Sequence, residues 1–228
     1  MMAGQSTKRR PRIVGVIASG ADLEKALRMR RPPDLFELRL DRLAGMTDEV
    51  EKVLPKLRRP LIITARDPRE GGANKLRLMQ RRDLLRRFLN HAYYIDVELR
   101  SARALQALLA NAKTKKVQRI ISFHDFKSTP SARILAAKAC QARGHGADIF
   151  KVATRTDTPM ELGRLLEFMT SSRLNLSLAV MGIGRLGAIS RILLARAGSV
   201  LMYASISATA DVEGQMSLEQ LRTLGFAA

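Results

Sequence analysis

One cysteine, Cys140, stands in 228 residues, so no disulfide framework can form and a reducing compartment is expected. Tryptophan is absent and aromatic side chains make up 4% of the chain, which leaves little from which to build a base-stacking platform. Acids are outnumbered by bases, 21 against 40, for a formal net charge of +19. The stretch from Met1 to Arg12 is polar and basic. The apolar run behind it, Ile13 to Ala18, is too short for a signal-peptide core or a membrane span. These shortages point to a cytoplasmic protein with no membrane segment. The charge would suit a nucleic acid, an anionic membrane surface, or anionic metabolites drawn in by the field.

Hydrophobic residues supply 46% of the chain, enough for one substantial core. Short apolar runs read as strands at 12–18, 35–39, 60–65, 93–98, 117–123, 149–152, 175–180 and 200–205. Amphipathic stretches read as helices at 22–29, 47–57 with Thr47 as a cap, 75–88, 101–111, 130–143, 159–169, a run through Leu193, and 217–224. In the third helix Leu78, Leu84, Leu85 and Phe88 form an apolar stripe, and the arginines are expected to cover its solvated side. Such alternation demands a parallel sheet, and eight units close into a single-domain (β/α)8 TIM barrel. No linker divides the chain, so residues 1–11 are expected to be a basic, flexible tail and 12–228 one barrel domain.

A barrel of this kind carries its chemistry at the C-terminal ends of its strands. The sixth strand holds Lys151 inside an apolar run, where burial of the charged head costs free energy unless it is paired or deprotonated. One such lysine is most simply explained by snorkelling to the sheet end. A desolvated lysine is also an amine nucleophile that forms Schiff bases with ketones. The other strand ends change the balance: Glu37, Arg39 and Asp41; Arg66 with Glu70 in the loop behind it; Asp96 and Glu98; His124 and Asp125; Ser190 and Arg191; Gly214 and Gln215. Each alone is explained by a rim ion pair, but together they crowd one mouth with charge, as functional sites do. A lysine ringed by Arg39, Arg66 and Arg191 is expected to lose its ammonium proton more readily, in a field that attracts a carboxylate.

Gly182-Ile183-Gly184-Arg185-Leu186-Gly187 matches the G-x-G-x-x-G pattern of dinucleotide sites. Only one strand follows it, and no acid lies about 20 residues on, so a dinucleotide sheet is not expected.

With these residues placed, the chain resembles the type I 3-dehydroquinate dehydratases of the shikimate pathway from about Arg12 to Leu224. The resemblance rests on Glu37-Leu-Arg39-Leu-Asp41, Thr64-Ala-Arg66 with Glu70-Gly71-Gly72, Asp96-Val-Glu98, Ser122-Phe-His124-Asp125-Phe126, Lys151, Met181-Gly182 with Ser190-Arg191, and Gly214-Gln215. It implies a cofactor-independent and metal-free lyase that removes water from 3-dehydroquinate to give 3-dehydroshikimate. Lys151 would form an iminium with the C3 ketone, and His124 would take the C2 proton and assist loss of the C1 hydroxyl. Glu70 would orient His124. Arg191 would clamp the substrate carboxylate, and Glu37, Arg39, Arg66 and Gln215 would hold the ring hydroxyls. A homodimer is also implied.

Two departures stand out. Family members usually carry a hydroxyl residue, Ala, Pro and then Gly-Gln in the lid loop after strand eight, whereas this chain has Asp211-Val212-Glu213-Gly214-Gln215. Two acids there should weaken binding of an anion unless arginines pair with them. The first strand often ends with a substrate-contacting serine, and the run Gly15-Val16-Ile17-Ala18-Ser19 leaves that match open. Competing readings are another Schiff-base lyase or aldolase, a paralogue with altered substrate, and a basic barrel that holds nucleic acid through a non-specific surface. No recognition motif or aromatic interleaving supports the last of these.

Overall fold

The computed structural model describes residues 10–171, 174–207 and 212–226. Their order is β1 (Arg12–Ile17), α1 (Gly20–Arg28), β2 (Leu35–Arg39), α2 (Thr47–Val53), β3 (Leu61–Thr64), α3 (Leu78–Phe88), β4 (Tyr94–Glu98), α4 (Leu99–Ala102), α5 (Gln106–Thr114), β5 (Gln118–Asp125), α6 (Ala132–Gly144), β6 (Ile149–Arg155), α7 (Pro159–Ser171), β7 (Ser177–Ile183), α8 (Gly187–Ala197), β8 (Leu201–Ser205) and α9 (Leu218–Thr223). Every strand pairing is parallel, in the order β7-β6-β5-β4-β3-β2-β1-β8. The two ends of that order meet where the Val200 N–H donates to the Leu178 carbonyl at 2.9 Å. The result is a nearly closed TIM barrel, as the eight strand–helix units imply. No helix among the described residues is long and apolar enough to cross a membrane.

Strand periodicity explains how one barrel holds both a core and a polar mouth. Side chains two apart share a face, so Leu35, Glu37 and Arg39 all point inward, as do Ile149, Lys151 and Ala153. The N-terminal inward positions are apolar, and Val14, Leu35, Ile62, Ile120, Ile149 and Leu201 form an interior plug. The next layer up is polar: Glu37, Thr64, Asp96, Ser122 and Lys151 are all buried. A second, larger apolar cluster fills the space between the outward strand faces and the helices.

Several boundaries differ from the sequence reading. Thr47 is the first residue of α2 rather than its cap, and its hydroxyl accepts from Arg87 at 3.2 Å. The stretch read as a helix from Lys75 starts at Leu78, because Asn74 and Lys75 sit at positive φ (58° and 47°) in the preceding turn. Not all arginines of α3 face solvent: Arg81 is 2% exposed and its guanidinium reaches Glu98 at 2.7 Å and Asp67 at 2.8 Å. β5 and β6 run further than expected, so His124 stands within a strand and Lys151 stands mid-strand. Of the expected tail, residues 1–9 lie outside the described residues, while Arg10 pairs with Asp34 at 2.8 Å.

Candidate active site

Lys151, His124, Glu70, Glu37, Arg39, Arg66, Arg191 and Gln215 all line one cavity of about 290 Å³ at the C-terminal end of the barrel. The sequence reading therefore brought together eight residues that the fold also brings together, from β2, β5, β6, α8 and the loops after β3 and β8. Phe126 and Val212 also line the cavity.

Lys151 differs from expectation in its nearest charges. Its Nζ lies 3.0 Å from Asp96 and 3.5 Å from Glu37, and 4.0 Å from the centre of the Tyr203 ring. The surroundings are carboxylates and a π face, not a bare ring of arginines. Arg66 is spent on the layer beneath: its terminal nitrogens donate to Asp96 at 3.1 and 2.9 Å, Glu98 at 3.0 Å and Ser122 at 2.6 Å. Burial would push the Asp96 carboxyl up, but Arg66 and Lys151 beside it reverse that and hold it well below the usual carboxylate range. Arg39 is likewise held by Asp41, through Nε at 3.0 Å and Nη2 at 2.9 Å. Asp41 also accepts from the backbone of Arg66 and Ala73, which ties the loop after β3 to the end of β2.

His124 Nδ1 lies 3.0 Å from Glu70 Oε2, and the same oxygen accepts from the His124 backbone N–H at 3.0 Å. Two contacts to one oxygen fix the ring and leave Nε2 for the cavity. Burial, then the nearby Arg66 and Lys151 cations, keep the His124 pKa well below its ordinary value, so the imidazole is neutral at neutral pH. Burial and the neighbouring Glu98 push Glu70 up to about 7, against the opposing pull of Arg66 and Arg100.

Arg191 is 4% exposed, and its contacts are the Gly214 carbonyl at 3.2 Å, the Tyr203 carbonyl at 3.4 Å and the Met181 sulfur at 3.4 Å. No carboxylate among the described residues pairs with it, and burial alone lowers its pKa to about 10. A buried cation without a counter-charge costs free energy that a bound anion would offset.

The described segment after β8 is seated by the glycines of the G-x-G-x-x-G run. A Cβ on Gly187 would fall 2.8 Å from the Gly214 Cα, and one on Gly214, at φ +79°, would fall 2.5 Å from the Gly184 carbonyl. The pattern serves close backbone approach between two loops. Glu213 pairs with Arg155 at 3.0 Å, and its carbonyl accepts from the Gly184 N–H at 3.0 Å. Asp211 lies outside the described residues. Ser19 caps α1 by accepting from the Asp22 N–H and donates to Asp22 Oδ2 at 2.9 Å; it lines a neighbouring cavity of about 180 Å³ that shares Arg42 and Gln215 with the first. Among the described residues no group of three or more His, Cys, Asp or Glu could hold a metal ion.

Sequence reasoning missed Tyr203 in the site. It read the run from Val200 to Ser205 as an apolar strand, and only the inward parity shared with Leu201 marks Tyr203 as a cavity residue.

The family model for type I 3-dehydroquinase matches residues 16–226. A 3-dehydroquinate dehydratase of Shouchella clausii is 33% identical over 207 residues, covering 85% of this chain and 80% of the relative. One from Methanococcus vannielii is 33% identical over 194 residues, covering 84% and 86%. The crystal structure of the Geobacillus kaustophilus 3-dehydroquinate dehydratase superposes with a TM-score of 0.83 at 28% identity, over 94% of this chain and 89% of that one. A type I enzyme from Clostridium difficile, solved with covalently modified comenic acid, gives 0.84 at 26%, over 94% and 91%.

Proposed function

The chain belongs to the type I 3-dehydroquinase family and is a 3-dehydroquinate dehydratase that works through a lysine Schiff base; from that premise we propose that Lys151 is the amine and His124 the proton carrier. The observation that carries the assignment is that a buried lysine, a neutral buried histidine and an arginine with no carboxylate partner among the described residues share one cavity.

Lys151 adds to the C3 ketone, and loss of water leaves an iminium that draws electrons from C2. His124 Nε2 takes the C2 proton, and its Nδ1–H stays on Glu70. The resulting enamine expels the C1 hydroxyl, which leaves as water with the proton His124 has just taken. Hydrolysis of the product iminium returns the lysine, with His124 again moving the protons. Arg191 receives the substrate carboxylate. Glu37, Arg39 and Gln215 hold the ring hydroxyls, while Arg66, with its terminal nitrogens engaged below, supports Asp96 as well as lining the cavity. The reading includes a homodimer, a cytoplasmic location, and a catalytic domain over residues 12–228 behind a basic tail at 1–11; these rest on resemblance and composition.

Borohydride added to the protein with 3-dehydroquinate should reduce the iminium and leave one adduct, located on Lys151 by mass spectrometry. Lys151→Ala should lose both adduct and turnover. Turnover surviving in that variant, or an adduct on another lysine, would sink the assignment.

A further inference from the structure

Three N–H bonds are available on a lysine ammonium, and a protonated iminium keeps one. The charge survives Schiff-base formation but two of its donors do not. Of the groups around Lys151 Nζ, Asp96 at 3.0 Å and Glu37 at 3.5 Å engage the ammonium as hydrogen-bonding or ion-pair acceptors. The Tyr203 ring, 4.0 Å from Nζ at its centroid, attracts the cation through its π quadrupole and needs no N–H to do so.

Building on the Lys151 assignment, we propose that Tyr203 is a further catalytic residue, whose ring face stabilises the iminium cation once the nitrogen has lost its other donors. The ring touches the reacting nitrogen and forms part of the cavity wall. The phenol oxygen does not share in this. It is buried, has no hydrogen-bond partner among the described residues, and lies away from solvent. Burial, with Glu37 and Asp96 nearby, pushes its pKa well above the ordinary value, so the ring stays a neutral phenol. A hydroxyl left unpaired in this way adds nothing that phenylalanine would lose. The rings of Phe126 and His124 line the same cavity, but among the described residues Tyr203 is the ring that lies under Lys151 Nζ; Ala153, Met181 and Ile183 are apolar.

Formation of the iminium from the carbinolamine turns a neutral nitrogen into a cation as hydroxide leaves with a proton to form water. The ring acts on that step. The test is rapid mixing of enzyme with 3-dehydroquinate, quenching with borohydride at intervals, and counting adduct on Lys151 in wild type, Tyr203→Phe, Tyr203→Met and Tyr203→Leu, beside steady-state kcat and KM. Phe should match wild type within about twofold. Met, which keeps the bulk, and Leu, which does not, should both accumulate adduct roughly ten- to thirty-fold more slowly and lose kcat by a similar factor, with KM little changed. Met or Leu variants that match wild type would overturn the proposal, as would a Phe variant as slow as Leu, since the hydroxyl would then be the active part. If Leu fails to fold, the Phe and Met pair decides. A wild-type protein with no adduct on Lys151 overturns the Lys151 assignment itself, so the two failures are told apart.

Discussion

His124 and Glu70 share one hydrogen bond, and the direction of that bond decides whether the histidine can act as a base. With Glu70 ionised, Nδ1–H donates and Nε2 carries its lone pair toward the cavity. A proton taken up by Glu70 would make the carboxylic acid the donor to Nδ1, move the imidazole proton to Nε2, and remove the base. Burial and Glu98 place that uptake at about 7, whereas His124 itself is held well below its ordinary value. Activity therefore depends on a deprotonated carboxylate and should be present above about 7 and lost as pH falls through it. The pair titrates as a unit, so kcat/KM against pH should show an acid limb near 7 in wild type. In Glu70→Gln, which has no proton to gain there, the plateau rate should fall by roughly 10- to 100-fold and the limb near 7 should disappear. A limb at the same pH in the Gln variant would assign it to another group. Arg81 illustrates a different residue-scale effect: its charge suggests solvent, yet Asp67 and Glu98 draw it inward. Composition carries no sign of which arginine on a basic helix will be paired, because the partners come from distant segments.

At the scale of elements, the loop after β8 carries an acid that the fold pairs with an arginine. Arg155 at the end of β6 holds Glu213 at 3.0 Å while also gripping Asp157. The side chain of Glu213 is 54% exposed, so solvent screens the pair and keeps its contribution small. The sign of its effect separates two accounts. If Glu213 acts as a latch, Glu213→Gln should raise KM for 3-dehydroquinate about two- to fivefold with kcat nearly unchanged. If its charge repels an anion despite Arg155, the same substitution should lower KM; steady-state kinetics at low salt decides. Sequence patterning was informative for the strands that carry the site, because alternation places Glu37 with Arg39 and sets Lys151 on an inward position. It was less informative where tertiary contacts outweigh local preference. The expected helix at 101–111 is divided into α4 and α5, and the G-x-G-x-x-G run seats the lid, a use that local pattern does not distinguish from phosphate binding. Tyr203 went unnoticed because tyrosine in an apolar strand looks like core, and its value lies in an atom from two strands away.

For the whole molecule, the charge of +19 should be felt by any anion approaching the mouth. The closest positive charges there are largely matched: Arg66 by Asp96 and Glu98, and Arg39 by Asp41. Among the described residues Arg191 is the exception among the site arginines, and further exposed positive charge lies on outer helices and loops, including Arg58, Arg59, Arg86 and Arg103. A field from distant, exposed charges is screened by salt, whereas the buried Arg191 is screened much less. The Debye length falls from about 30 Å at 0.01 M to about 8 Å at 0.15 M, enough to uncouple the outer helices from the mouth. If the excess charge steers substrate, kcat/KM should drop severalfold between those ionic strengths while kcat holds, because the chemistry after capture involves groups within a few ångströms of each other. Replacing Arg58 and Arg59 together by Gln should flatten that dependence only slightly, since the field is a sum over many residues, whereas Arg191→Gln should lower kcat/KM at every salt concentration and leave its slope in place. A kcat/KM that is flat from 0.01 to 0.15 M would detach the surface charge from catalysis and leave it to solubility or to binding of polyanions.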